Sequence, residues 1–300
     1  MFAVTFANPW RFQANPEVYL LVAFLIGAYV YMVRVIGPHA VAPGQPVVTR
    51  RHIGCFVGAM ILLFTASTWP IHQIGETYLY SVHMLQHMML SYFMPPLILL
   101  ATPEWLARVL VGDGRTYQAV RFLAKPVIAG IVFNIAVIVT HVPSVVNAAT
   151  PNATLHYLVH FMVVMTALLM WVPVVGPLPE LHIGELAKLP YLFVQSVIPT
   201  VPAGWLTFAE GTVYRHYRQP VRVWGLSVTE DQQLAGAIMK VGGSVFLWSV
   251  MLCIFIRRVA PNWQDDAALT RRRQDSELTF DDVAAEFAKS EAPHEPPRVG

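Results

Sequence analysis

Two histidine pairs with identical spacing are the residues in this chain best suited to chemistry. His83 and His87 stand four apart in HMLQH, and His156 and His160 repeat the interval in HYLVH. On a helix such residues share a face, with side chains about 5–6 Å apart, so two imidazoles can hold one metal ion. A single HxxxH arises easily by chance. Two of them, each near the start of a long apolar stretch, point to function, because polar groups inside a membrane are costly. His141, at the end of another apolar stretch, and His72, in a connecting loop, are two further candidate ligands. The other histidines, His39, His52, His182, His216 and His294, fall in loops or the tail and read as solvated.

The spacing bears on which metal or cofactor these imidazoles would hold. A bis-histidine haem needs one histidine from each of two helices at one level, and His83 with His156 could supply that. His87 and His160 then lie only about 6 Å deeper, an interval too short for a second haem, so one pair is left over. Diiron hydroxylases also use HxxxH pairs, together with adjacent-histidine boxes that this chain lacks, and no carboxylate ligand is apparent on the helical faces. Copper fits better, since imidazole and thioether suit its reduced state. Met84, Met88, Met89, Met94, Met162 and Met165 accompany the histidines, although each taken singly reads as packing.

Accessory positions follow. Asp231, ahead of the last apolar stretch, either orients a ligating imidazole or caps its own helix within TEDQQ. Met239 and Lys240 lie about two turns further on, and a lysine there needs a partner that the sequence does not name. Glu76 is a weaker accessory candidate of the same kind. Cys55 and Cys253, the only cysteines, read as packing residues and exclude a disulfide framework or a thiolate zinc site.

These residues need a membrane scaffold. Charged residues make up 13% of the 300-residue chain and hydrophobic ones 55%, with a mean hydropathy of +0.51; soluble domains carry roughly 25% charge. A net charge of +2 so sparsely distributed argues against nucleic-acid partners. Seven windows are long and apolar enough to span, at 18–36, 53–69, 78–101, 127–142, 155–175, 189–209 and 233–256. The expected class is therefore an all-α polytopic bundle of about seven helices. Pro95-Pro96 should kink or break the third window, and Pro199 and Pro202 should make the sixth irregular, with neighbouring helices meeting its freed carbonyls.

The N-terminal residues have no basic start followed by an apolar run, so no cleavable signal peptide is expected. Arg34, Arg50 and Arg51, then Arg108, Arg115, Arg121 and Lys125, then Arg257 and Arg258 mark one side as cytoplasmic. The alternate loops IHQIGET and PSVVNAATPNAT carry no lysine or arginine. Loop 210–232, with Arg215, Arg218 and Arg222, is the exception. This places the N-terminus outside and the C-terminus in the cytoplasm, and gathers six histidines in the outer leaflet. Residues 1–258 form the membrane domain, with a basic connector at 103–125 on the inner face. Residues 259–300 form a largely disordered tail with a short helix near 277–289.

HMLQHMMLSYFMPPLILLATP, LHYLVHFMVVMTALLMWVPVVGP and EDQQLAGAIMK together resemble the CtaG-type cytochrome c oxidase assembly factors, polytopic proteins of the bacterial inner membrane. The resemblance covers roughly residues 15–258. It implies help in assembling a haem-copper oxidase, with copper as the metal, His83, His87, His156 and His160 as the histidine pairs, and Asp231 as the acidic residue before the last helix. It also implies an oxidase subunit or its copper donor as partner, besides membrane lipid. No nucleophile–base pair, phosphate-binding loop or dinucleotide fingerprint occurs, so no enzymatic role is expected. Rival readings are a haem-binding membrane oxidoreductase using His83 and His156, and a copper transporter; the mostly apolar inner halves of the helices weigh against the transporter. Loop 210–232, with Arg215, His216, Tyr217 and Arg218, is the expected docking surface.

Overall fold

The computed structural model describes residues 8–218, 221–261 and 280–289. It is all-α, 79% helical, with no strand among the described residues. Helix α1 (Pro16–Ala40) opens on Pro16, in the first turn, where a missing N–H costs little. Helix α2 (Arg50–Ser67) starts on a reciprocal cap: the His52 N–H donates to Thr49 Oγ1 and the Thr49 N–H to His52 Nδ1, both at 3.3 Å. After a 43° bend comes α3 (Ile71–Thr77), then α4 (Tyr80–Ala101). Pro95-Pro96 does not break α4. The helix instead widens to a π turn over Met89–Phe93, just before the prolines, a local adjustment that accommodates backbone groups the prolines cannot serve.

Helices α5 (Glu104–Val111) and α6 (Arg115–Leu123) form the basic connector, and α6 turns through 74° into α7 (Pro126–Thr140). A short α8 (Pro143–Ala149) leads to α9 (Ala153–Val175), whose first turn is capped by Asn152 accepting from the Leu155 N–H at 3.1 Å. The sixth window divides at Pro199 into α10 (Glu185–Val197) and α11 (Thr200–Thr207). Last come α12 (Val228–Val259) and α13 (Phe280–Lys289). Four helices, α1, α4, α9 and α12, are long and apolar enough to cross a membrane alone. The bent pairs α2–α3 and α6–α7 raise the number to six if each counts as one span.

Lys240 finds its partner at the break in the sixth window. Its Nζ donates to the Ser196 carbonyl at 3.2 Å and to Thr200 Oγ1 at 2.6 Å. A cation at the end of α10 also suits that helix's dipole. Elsewhere Ala59, Met60 and Ala66 of α2 pack with Leu90 and Met94 of α4, where small residues let the backbones approach. Helix α9 lies against both α4 and α7, and the first turns of α12 lie against α4 and α11. The starts of α4, α9 and α12 are thereby brought together.

Residues 1–252 make one compact unit and residues 253–300 another. Of the second, the described residues are the end of α12 and α13. The rest of the tail, including 262–279, lies outside the described residues.

Candidate metal centre

The site starts from the corner between α3 and α4. The Tyr78 and Leu79 N–H groups both donate to the Ile74 carbonyl, at 3.0 and 2.9 Å, which ends α3 and turns the chain back. Gly75 permits close approach: a Cβ there would lie 3.0 Å from the backbone nitrogen of His83. Glu76 is thereby set among the histidines. Its Oε1 is 3.1 Å from His83 Nδ1, 3.7 Å from His160 Nε2 and 3.8 Å from His72 Nδ1, and its Oε2 is 2.9 Å from His156 Nε2. The absence of a carboxylate from the helical faces is thus no guide to the site, because the carboxylate arrives from α3.

The two histidine pairs do meet across α4 and α9. Ring centroids are 4.5 Å apart within each pair and 4.7 Å between His87 and His160. Two groupings have ligand atoms all within 4.8 Å of one another: His83, His87 and His160, and Glu76, His156 and His160. The Nε2 atoms of His87 and His160 are buried without a hydrogen bond. With His83 Nδ1 donating to Glu76, its Nε2 keeps a lone pair, the carboxylate–imidazole arrangement that commonly backs a metal ligand. His72 stands at the edge, held by Gln86 Nε2 at 3.2 Å.

Asp231 behaves differently from either sequence expectation. It is fully buried and touches no imidazole, and its own helix is capped by Ser227 with Glu230 in a reciprocal box. Its carboxylate instead accepts from the Tyr80 N–H at 2.8 Å, the Ser81 N–H at 3.0 Å and the Ser81 hydroxyl at 2.6 Å. It caps α4, the helix that carries His83 and His87.

Residues 210–218 and 221–227 close over this end of the bundle. The Tyr217 hydroxyl donates to the Gly75 carbonyl at 3.0 Å, Tyr214 to the His141 carbonyl at 2.8 Å, and His216 Nε2 to the Glu76 carbonyl at 2.9 Å. Burial pushes the Tyr214 phenol up to about 12 and that of Tyr217 well above its ordinary range, so both stay protonated donors. Tyr217 is therefore no docking residue. Arg215 and Arg218 are the exposed members of that expected surface. Arg222 is used internally, donating to the carbonyls of Tyr217, Leu226 and Ser227.

The methionines divide into two groups. Met94 belongs to the α2–α4 packing cluster and Met89 packs against it, while Met165 is exposed. Met84, Met88 and Met239 are buried beside the imidazoles. Met84 Sδ lies 3.3 Å from His141 Nε2. A cavity of about 20 Å³ is lined by His83, Met84, His87, His141, His156 and His160. That is room for an ion or a water-sized guest and far too little for a porphyrin.

Residues 27–260 match the family described as cytochrome c oxidase caa3 assembly factor (Caa3_CtaG). The chain belongs to this family. No curated protein and no solved structure matches it. The family's residues span every helix that builds the cluster, from α1 to α12. What Caa3_CtaG membership adds is a setting, the assembly of a cytochrome c oxidase. The sequence reading missed Gln86, Ser81, Tyr214 and the central place of Glu76. For Glu76 one signal was present: His72 and Glu76 share the four-residue spacing of the histidine pairs.

Proposed function

We propose that this chain carries a copper ion as cargo in the Glu76–histidine cluster and passes it to a haem-copper oxidase during that enzyme's assembly, without catalysing a reaction. One observation carries the reading: a part-buried carboxylate bracketed by His83 and His156, beside His87 and His160 nitrogens that have no hydrogen-bond partner. Buried polar atoms are normally satisfied, so two convergent bare imidazole nitrogens call for a cation. Imidazole is a good ligand for copper in either oxidation state. The family supplies the recipient, a cytochrome c oxidase. The loop charges support an orientation in which the cluster lies at the outer face of a bacterial inner membrane. An oxidase subunit or a soluble copper donor would dock there, near Arg215 and Arg218. The donor set includes no nucleophile paired with a base, which favours a carrier over an enzyme.

Deletion of the gene should lower oxidase activity while the oxidase polypeptides still accumulate. The parent gene should restore activity, and His83→Ala combined with His156→Ala should not. Added copper should rescue the deletion in part, by mass action on the unfilled oxidase centre. Undiminished oxidase activity in the deletion strain under copper limitation, with no redundant donor present, would defeat the proposal.

A further inference from the structure

We propose a second copper site, about one turn deeper in the bundle, built from methionine thioethers and His141 and selective for the monovalent ion. It rests on the reading of the chain as a copper carrier. His141 is buried at the end of α7, and its Nδ1 lies 2.6 Å from the Val137 carbonyl oxygen. A carbonyl can only accept, so Nδ1 holds the proton and Nε2 keeps a lone pair. Among the described residues no carboxylate pairs with His141 to hold it doubly protonated. The Nε2 lone pair faces Met84 Sδ at 3.3 Å, and a thioether has no proton to give. Two soft electron-pair donors meeting in a buried space is the arrangement a soft cation satisfies.

The surroundings are consistent. Met84 and His141 line a cavity of about 30 Å³ together with His87, Met88 and Met239, room for one ion-sized guest. Thioether and imidazole without carboxylate select monovalent copper and disfavour zinc and magnesium. Packing alone does not account for the grouping. Met89 and Met94 sit among apolar neighbours, whereas Met84, Met88 and Met239 converge from α4 and α12 beside buried imidazoles. Met84, His87 and His141 line the upper cavity as well, so they form the wall between the two. An ion can cross that wall by exchanging ligands one at a time, with no change of charge. The carboxylate cluster above accepts several metals, whereas the deeper site favours soft monovalent ions.

The test uses the full chain in lipid nanodiscs under anaerobic conditions, with monovalent copper, silver(I) as its redox-inert analogue and zinc as the contrasting probe. X-ray absorption of the copper-loaded parent should show sulfur in the first coordination shell. Combining Met84→Leu, Met88→Leu and Met239→Leu conserves volume. It should abolish the sulfur signal and weaken silver binding at least as much as loss of an outer-shell partner, roughly 10–100-fold, while zinc binding persists and reports an intact fold. His83→Ala with His156→Ala should do the reverse, losing zinc and keeping sulfur-ligated copper. A parent spectrum without sulfur, or a triple variant that binds silver as tightly as the parent, overturns the second site and leaves the upper one standing. Sulfur-ligated copper in a parent that binds no zinc would instead support the deeper site against the upper cluster.

Discussion

At the level of single residues the site turns on Glu76. One carboxylate lies within 4 Å of ring nitrogens on His72, His83, His156 and His160. Its negative charge offsets the cost of bringing a cation into a buried space, and its acceptor oxygens fix which nitrogen of His83 carries the proton. Glu76→Gln keeps the shape and removes the charge. Its metal affinity, measured by competition titration of the purified protein, should fall on the order of 10–100-fold, with expression unchanged. Equal affinity in the two proteins would make the carboxylate a bystander. The histidines could be read in advance because each pair lies within one helix and obeys one spacing. Glu76 could not be placed, since its approach to His83 depends on the turn at Tyr78 and Leu79 and on the missing side chain of Gly75. Gln86 carried no periodic signal at all, and its role exists only through His72.

At the level of elements, helix ends matter most. Helix α4 begins inside the protein, where its first backbone donors have no water to bond, and Asp231 from α12 meets two of them. Asp231→Ala should therefore cost about 2–4 kcal/mol, the loss of a cap together with stranded buried donors. Thermal unfolding in detergent measures it, and Asp231→Asn, which keeps one acceptor oxygen, should lose less. If alanine were tolerated within a few tenths of a kcal/mol, the start of α4 would have to be held by other means. Capping across helices explains why TEDQQ misled: Asp231 has the right chemistry for a cap, but the helix it serves lies 150 residues earlier. Prolines were read with mixed success for a related reason. Pro199 breaks its helix as expected and Lys240 repairs the break, whereas Pro95-Pro96 is absorbed by a π turn that no hydropathy pattern foretells.

At the scale of the whole molecule, four helices and two bent pairs long and apolar enough to cross a membrane set how the chain disposes its ends. The seven apolar windows all contain helix, and Pro199 splits the sixth into pieces of 13 and 8 residues. Together, with Lys240 bridging the gap, these pieces are long enough to cross as one broken helix. Seven crossings put the two termini on opposite sides, and six put them on the same side. The charge pattern favours the former, and its one exception is weakened because Arg222 is consumed by the carbonyls of its own loop. A reporter fused after Arg258 should therefore behave as cytoplasmic and one inserted near Asn147 as external. A third, placed before Pro16, should match the Asn147 position. Matching behaviour before Pro16 and after Arg258 would mean an even number of crossings, with α10 and α11 re-entrant. Full inversion of the pattern would put the histidine cluster on the cytoplasmic face, where an ion could not be handed to an oxidase from outside.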